Sequence, residues 1–380
     1  MPDDDLDDAT ATWVAPGRVN IIGEHTDYND GFVLPIALPM TVACRAQRRS
    51  DGWVGVRSRQ RPGGQIDLAL NSLDTARDYA PGWARYPIGV VAEFVRRGYP
   101  LGGVELRIDG RVPIGAGLSS SAALCCSVAI ALRDLFDVRV SEHELIELTR
   151  AAENNYVGVP TGILDQSAAL LCTAGNALFL DVRRFVRSEP DAYAQIPFDL
   201  GAHGLELLVI DTGHPHRLAD GAYAQRHAHC AAAAGELGVR SLREIDSIGA
   251  LDRLDDPVLR RRARHVVGEN ARVLDAVAVL RSGADPRRIG PMLTASHASL
   301  RDDFEVSTPV LDAAVSAALS AGAYGARLVG GGFGGSVIAL VDYEAVGRVT
   351  AAVRELFART GFPEPRTFAV VPSAGAHRIS

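Results

Sequence analysis

Apolar residues recur along this chain with two different periods. Val104, Leu106 and Ile108 alternate within Gly102 to Ile108, the two-residue period of a half-buried strand, and Val42 and Val54–Val56 lie in other short extended runs. Ile88, Val91 and Val95 follow near-helical spacing, and Ser119 to Phe136 reads as a second, largely apolar helix. Ser141-Glu142-His143-Glu144 is a capping box ahead of Leu145, Ile146 and Leu148, which predicts a helix start at Ser141. Downstream, Leu205 to Ile210, Ser336 to Val341 and Phe368 to Val371 read as strands, and helices fill much of 219–300. Ser307-Thr308-Pro309 supplies the N-cap and first-turn proline of one more helix. Strands and helices mix without strict alternation, which predicts an α+β fold in two halves.

Length supports that division. At 380 residues the chain exceeds what one hydrophobic core usually organises. Between 188 and 197 the pattern weakens into polar residues with Pro190 and Pro197, so the expected domains are 1–195 and 196–380. A 47% hydrophobic and 22% charged composition excludes a disordered or fibrous chain.

Charge and cysteine usage narrow the chemistry. The chain has no lysine; all 39 basic residues are arginine. That excludes Schiff-base and pyridoxal phosphate enzymes, the lysine of a Walker loop and the strand lysine of protein kinases. A net charge of −7 argues against nucleic acid as a partner, although a local phosphate site needs only suitable geometry. Cys44, Cys125, Cys126, Cys172 and Cys230 are odd in number and lack CxxC spacing, as in a reducing cytosol. Asp3, Asp4, Asp5, Asp7 and Asp8 oppose a signal peptide and read as a frayed tail. The longest apolar run, Ala122 to Leu132, is too short to span a bilayer. The expectation is a soluble cytoplasmic protein with no membrane partner.

Three segments carry candidate chemistry. Pro113 to Ala123 (PIGAGLSSSAA) follows a strand and opens an apolar helix. Its glycines permit close backbone approach to an anion, the helix start offers free N–H groups, and Ser119, Ser120 and Ser121 add hydroxyls for phosphate or magnesium. The plainer reading is a glycine turn with serine caps. Ala15 to Gly31 (APGRVNIIGEHTDYNDG) sets Glu24, His25 and Asp27 together after an apolar pair. Several acceptors and one switchable donor suit the hydroxyls of a sugar; a solvated polar turn is the alternative. Glu153 to Gln166 (ENNYVGVPTGILDQ) places Asp165 in an apolar stretch, either as a helix cap or as a desolvated base or metal ligand, with Glu153 upstream.

Other features are weaker. Gly330-Gly331-Gly332-Phe333-Gly334-Gly335 permits close approach to a ligand or to another backbone. His214 and His216, and His227 and His229, have HxH spacing that suggests a metal hydrolase. Ala222 to Ala234 reads as a helix, however, where residues two apart diverge by about 200°, so His227 and His229 are expected at the surface. His214-Pro215-His216 is expected in a solvated turn.

In this order the segments resemble the GHMP small-molecule kinases. Gly17 to Asp30, continued by Gly31-Phe32-Val33-Leu34-Pro35, is similar almost residue for residue to the signature of the galactokinase family. Gly115 to Ala123 resembles the superfamily's phosphate-binding motif, and Gly325-Ala326-Arg327-Leu328-Val329 with Gly330 to Gly335 its third motif. Similarity runs in order from Val14 to Pro372 and includes Arg301-Asp302-Asp303-Phe304 after His297.

The resemblance implies an N-terminal α+β domain with a mixed sheet, joined to a ferredoxin-like C-terminal domain, with the site between them. It implies ATP-dependent phosphorylation of galactose at the anomeric hydroxyl, giving α-D-galactose 1-phosphate and ADP, the entry step of galactose catabolism. Mg²⁺ would be the cofactor, ATP the co-substrate, and the enzyme a monomer. By position it implies Asp165 as catalytic base, in Gly162-Ile163-Leu164-Asp165-Gln166, with Arg18 orienting the nucleophile and stabilising charge. Glu24, His25, Asp27, Gly162 and Tyr223 match sugar-binding positions. Gly115, Ala116, Gly117, Leu118, Ser119, Ser120 and Ser121 match the ATP phosphate loop, and Ser121 and Glu153 the magnesium ligands. Thr161 stands where the family commonly has cysteine and Leu164 where it has methionine; neither alters a charge, but Thr161 bears on the shape of the sugar pocket.

Two other classes share parts of this pattern. One is a sister kinase acting on N-acetylgalactosamine, another sugar or mevalonate, the last disfavoured by the polyol-type cluster. The other is a non-enzymatic sugar sensor, opposed by the complete set Arg18, Ser121, Glu153 and Asp165.

Overall fold

The computed structural model describes residues 11–215 and 221–380. The acidic tail, His216 and Ala219 lie outside the described residues. Thirteen strands are present among them: β1 (Thr12–Asn20), β2 (Phe32–Val33), β3 (Pro35–Arg49), β4 (Trp53–Ser58), β5 (Ile66–Ala69), β6 (Gly103–Gly110), β7 (Asn176–Asp181), β8 (Tyr193–Pro197), β9 (Leu205–Asp211), β10 (Gly325–Leu328), β11 (Ser336–Asp342), β12 (Arg366–Val370) and β13 (His377–Arg378). The helices are α1 (Leu73–Tyr79), α2 (Arg85–Arg96), α3 (Ser120–Leu135), α4 (Glu142–Ala151), α5 (Leu164–Leu171), α6 (Val182–Val186), α7 (Ala222–Leu237), α8 (Pro257–Arg281), α9 (Gly290–Asp302), α10 (Pro309–Ser320) and α11 (Val346–Thr360).

A six-stranded sheet runs in the order β13-β1-β3-β6-β4-β5. It is mixed, because β4 pairs with β6 in parallel while its other pairs are antiparallel. A second sheet, β10-β11-β9-β12, is antiparallel throughout, and β2-β7-β8 forms a third. This is the α+β architecture expected. In β9 alternate residues serve two cores: Leu205, Leu207 and Val209 join the core of the first sheet, while Leu208 and Ile210 join that of the C-terminal helices. A strand buried on both faces reads as a nearly continuous apolar run, as Leu207 to Ile210 does.

Local signals placed most elements. The Ser141 Oγ accepts from Glu144 N at 3.2 Å and Glu144 Oε2 accepts from Ser141 N at 3.1 Å, the reciprocal bonds of the capping box that opens α4. Thr308 caps α10 ahead of Pro309. The helix expected from Ser119 begins one residue later, with Ser119 as a left-handed N-cap at φ 59°. The expected division at 195/196 falls inside β8, which pairs with β7 as far as Pro197, and β13 returns the chain's end to β1. Proline at 197 stands at the strand's last position, where the loss of its N–H is tolerated, so the polar stretch concealed a strand.

Candidate active site

The phosphate-loop candidate lies between β6 and α3 and rests on backbone from both ends of the chain. Arg18 N donates to Leu118 O at 3.1 Å, and Ser336 Oγ donates to Ala116 O at 2.7 Å. A β-carbon on Gly335 (φ +89°) would lie 3.1 Å from Ala116 O. The late glycine run therefore serves close approach to another backbone, while Gly330 and Gly331 also line the cleft.

Asp165 sits in the first turn of α5 and is held by three groups. Arg18 Nε donates to its Oδ1 at 2.7 Å, with Nη2 2.6 Å from the same oxygen, and Ser119 Oγ donates to Oδ2 at 2.5 Å. Arg18 Nη1 donates to Gly117 O at 2.8 Å, which ties the pair to the phosphate loop. Asp165 is thus no helix cap; Ile163 takes the N-cap position of α5. Ser119 lies in the loop as expected, but its hydroxyl is directed to Asp165.

The cluster Glu24-His25-Asp27 follows β1 in a loop closed on itself. Thr26 Oγ1 donates to Gly23 O at 2.8 Å and Phe32 O at 2.6 Å, and Asn29 Nδ2 donates to His25 O at 2.9 Å. This is a buried, bonded loop rather than a solvated turn. Glu24 accepts from Gly330 N at 2.8 Å through Oε1, which also pairs with buried Arg327 at 3.1 Å. His25 shares a 2.8 Å hydrogen bond between Nδ1 and Tyr28 Oη and packs against Phe304 and Tyr223. Burial, then the neighbouring His265, pushes its pKa well below the usual value. His25 is therefore neutral and not the switchable donor expected. Burial, and next the charge of Asp165, pushes Asp27 up to about 6. The Asp27 carboxylate lies over Gly162, where a β-carbon would stand 1.7 Å from Oδ2.

Glu153 lies in a wide helical turn, Ala152–Val157, of π type. It is 2% exposed, and burial followed by the Asp165 charge pushes its carboxyl up to about 8. Ser121 Oγ and Gln166 Nε2 each donate to it at 3.3 Å, and the buried Gln166 Oε1 has no partner.

These residues line one cleft: Arg18, Glu24, His25, Asp27, Glu153, Gly162, Asp165, Tyr223, Gly330 and the loop residues Gly115 and Gly117 to Ser121. Of the expected site residues only Ala116 is absent from its wall, being packed beneath. Tyr86, which no motif in the sequence singles out, also lines the cleft from α2, and burial with Glu153 raises its hydroxyl to about 12. His227 is exposed and stacks on Tyr28, whereas His229 is half-buried rather than at the surface. Among the described residues no group of three or more His, Cys, Asp or Glu side chains could hold a metal by itself.

Comparison with known families agrees with this geometry. The GHMP kinases N terminal domain matches residues 85–173 and GHMP kinases C terminal matches 276–359. The chain is a GHMP kinase. Within that class, the galactokinase galactose-binding signature matches residues 4–48. Over 371 residues the chain is 47% identical to a galactokinase of Streptomyces coelicolor, covering 97% of this chain and 94% of the relative. It is 42% identical over 369 residues to a galactokinase of Mycobacterium tuberculosis, covering 97% and 99%. The chain belongs to the galactokinase family. A crystal structure of Lactococcus lactis galactokinase complexed with galactose superposes with a TM-score of 0.91 at 33% identity, over 98% of this chain and 96% of that one. A mevalonate kinase at 17% identity and TM-score 0.65, over 95% and 98%, shares the fold.

Proposed function

We propose that this enzyme transfers the γ-phosphoryl group of ATP to the anomeric hydroxyl of galactose, with Asp165 as general base. The observation that carries the reading is the fixing of both Asp165 oxygens, by Arg18 and by Ser119, in a cleft shared by the polar loop after β1 and the start of α3. Phosphoryl transfer depends mainly on positioning and electrostatics. Asp165 accepts the hydroxyl proton as the bond to phosphorus forms and ADP leaves, and Arg18 stabilises the carboxylate and the developing charge. Glu24, neutral His25, Asp27 and Tyr223, with the space left by Gly162, bind the sugar. Gly115 to Ser121 receives the phosphates through backbone N–H groups and the helix start.

The residues fit a magnesium ion. Glu153 is a buried carboxylate raised by burial and then by the charge of Asp165, with Ser121 Oγ and the unpartnered Gln166 Oε1 beside it. Mg²⁺ ordinarily takes one or two carboxylates and shares its remaining positions with water and substrate phosphates. Ser121 and Glu153 would hold it, and it would neutralise phosphate charge.

We place the division between the two units after Pro197, with β13 returning to the first sheet. Five free, buried cysteines support a reducing, cytoplasmic setting, and among the described residues no helix is long and apolar enough to cross a membrane.

The test is ADP release with galactose, glucose and N-acetylgalactosamine. A misplaced hydroxyl leaves buried groups unpaired, so galactose should exceed glucose by roughly a hundredfold or more in kcat/KM. Asp165→Asn should lower kcat by about two orders of magnitude while galactose still binds. Comparable wild-type rates on glucose would reduce the assignment to a general sugar kinase.

A further inference from the structure

Helix α8 buries three polar side chains against the backbone of the loop that follows β1. His265 and Glu269, four residues apart, share one helix face, and Asn270 stands about 100° further round. His265 Nε2 bonds Glu24 O at 3.0 Å, Glu269 Oε1 accepts from Gly23 N at 2.9 Å, and Asn270 Oδ1 accepts from Phe32 N at 2.9 Å. A carbonyl only accepts, so His265 carries its proton on Nε2. From β10, Arg327 Nη1 donates to Asn20 O at 2.8 Å and Ile21 O at 3.0 Å while Nη2 pairs with Glu24.

The clamp is itself braced. Glu269 Oε1 also accepts from Ser296 Oγ at 2.7 Å and its Oε2 from Arg272 Nε at 2.8 Å; His265 Nδ1 faces Ser299 Oγ at 2.9 Å. His265, Glu269 and Arg327 are 0% exposed, so these bonds are shielded from water. Burial alone would raise Glu269, but Arg272, His265 and Arg327 bring it to about 2, and burial lowers His265 to about 4. The carboxylate is thus charged and the imidazole neutral across the physiological range.

A core without function would be filled by apolar side chains, because buried polar groups add little net stability and cost heavily when unpaired. Here each polar group ends on a backbone atom of the same short segment, at residues 20, 21, 23, 24 and 32. We infer that His265, Glu269, Asn270 and Arg327 are positioning residues for the sugar, holding this loop so that Glu24, His25 and Asp27 meet its hydroxyls. The inference rests on the galactose reading for its ligand, though not for the clamp. None of the four contacts the phosphate loop through the bonds described, so their removal acts on the sugar and not on ATP.

The experiment compares wild-type enzyme with Glu269→Leu, Glu269→Gln and Asn270→Ala, measuring KM for galactose, KM for ATP, kcat, melting temperature and amide exchange over 20–33. Glu269→Leu and Asn270→Ala should each raise KM for galactose roughly tenfold or more, the scale of one lost buried hydrogen bond. KM for ATP should stay within about twofold, and exchange over 20–33 should accelerate. Glu269→Gln retains an acceptor for Gly23 N and should recover most of the galactose KM. If Glu269→Leu does not fold, Asn270→Ala carries the same comparison. Equal rises in both KM values, or a lowered melting temperature with unchanged galactose KM, would overturn the positioning role. A wild-type enzyme inactive on galactose would instead overturn the substrate assignment, and amide exchange would still report whether the clamp holds the loop.

Discussion

Gly162 and Asp27 share a space that only one side chain can occupy. A β-carbon at Gly162 would lie 1.7 Å from Asp27 Oδ2 and 2.3 Å from its Cγ. No real contact is that short, so Gly162→Ala must displace the carboxylate or the Thr161–Ile163 turn. A displacement of about 1 Å at a positioning group can cost a hundredfold. Gly162→Ala should therefore lower kcat/KM for galactose by roughly that factor, with KM for ATP near wild type. Steady-state kinetics varying each substrate in turn check this; unchanged galactose kinetics would remove Asp27 from the sugar site.

Asp27 also sets an acid limb. Burial and the Asp165 charge raise it to about 6, so it is ionised above that pH and protonated below. The ionised form accepts sugar hydroxyls, and kcat/KM reports groups of the free enzyme. Activity at low galactose should fall as pH drops through about 6. Asp27→Asn should lower kcat/KM and abolish this limb, which a pH profile between 5 and 8 tests.

Ser119 holds the Asp165 oxygen that Arg18 leaves free. Ser119→Ala should lower kcat about tenfold, the scale of one hydrogen bond to a charged group, while KM for ATP changes little. Because Ser119 is left-handed at φ 59°, Ser119→Gly keeps the backbone geometry and isolates the hydroxyl's effect. Wild-type kcat in the glycine variant would show that the hydroxyl does not orient the base.

Glu153→Gln removes the buried carboxylate beside Ser121. The magnesium concentration for half-maximal activity should rise by roughly an order of magnitude, with KM for galactose nearly constant. Titrating activity with Mg²⁺ at saturating ATP decides it; an unchanged titration would return Glu153 to a purely structural role.

Much of the site was legible because its motifs are short and local. Gly-rich turns, a helix start with serines and a cluster of three polar residues each declare their chemistry within a dozen positions, and the capping box at Ser141 and the alternation of β6 follow from neighbours alone. The sequence by itself thus determined the loops, most elements and the family. Only the tertiary structure decided what each polar atom faces. Ser119 turns to Asp165 across two elements, one Glu24 oxygen is taken up by Gly330 and Arg327 from the far end of the chain, and His25 is stripped of its switch by burial. The polar face of α8 carries no local signature, since His265, Glu269 and Asn270 look like surface residues until the loop after β1 packs on them. Desolvation and charge proximity are properties of three-dimensional distance, and spacing along the chain does not contain them.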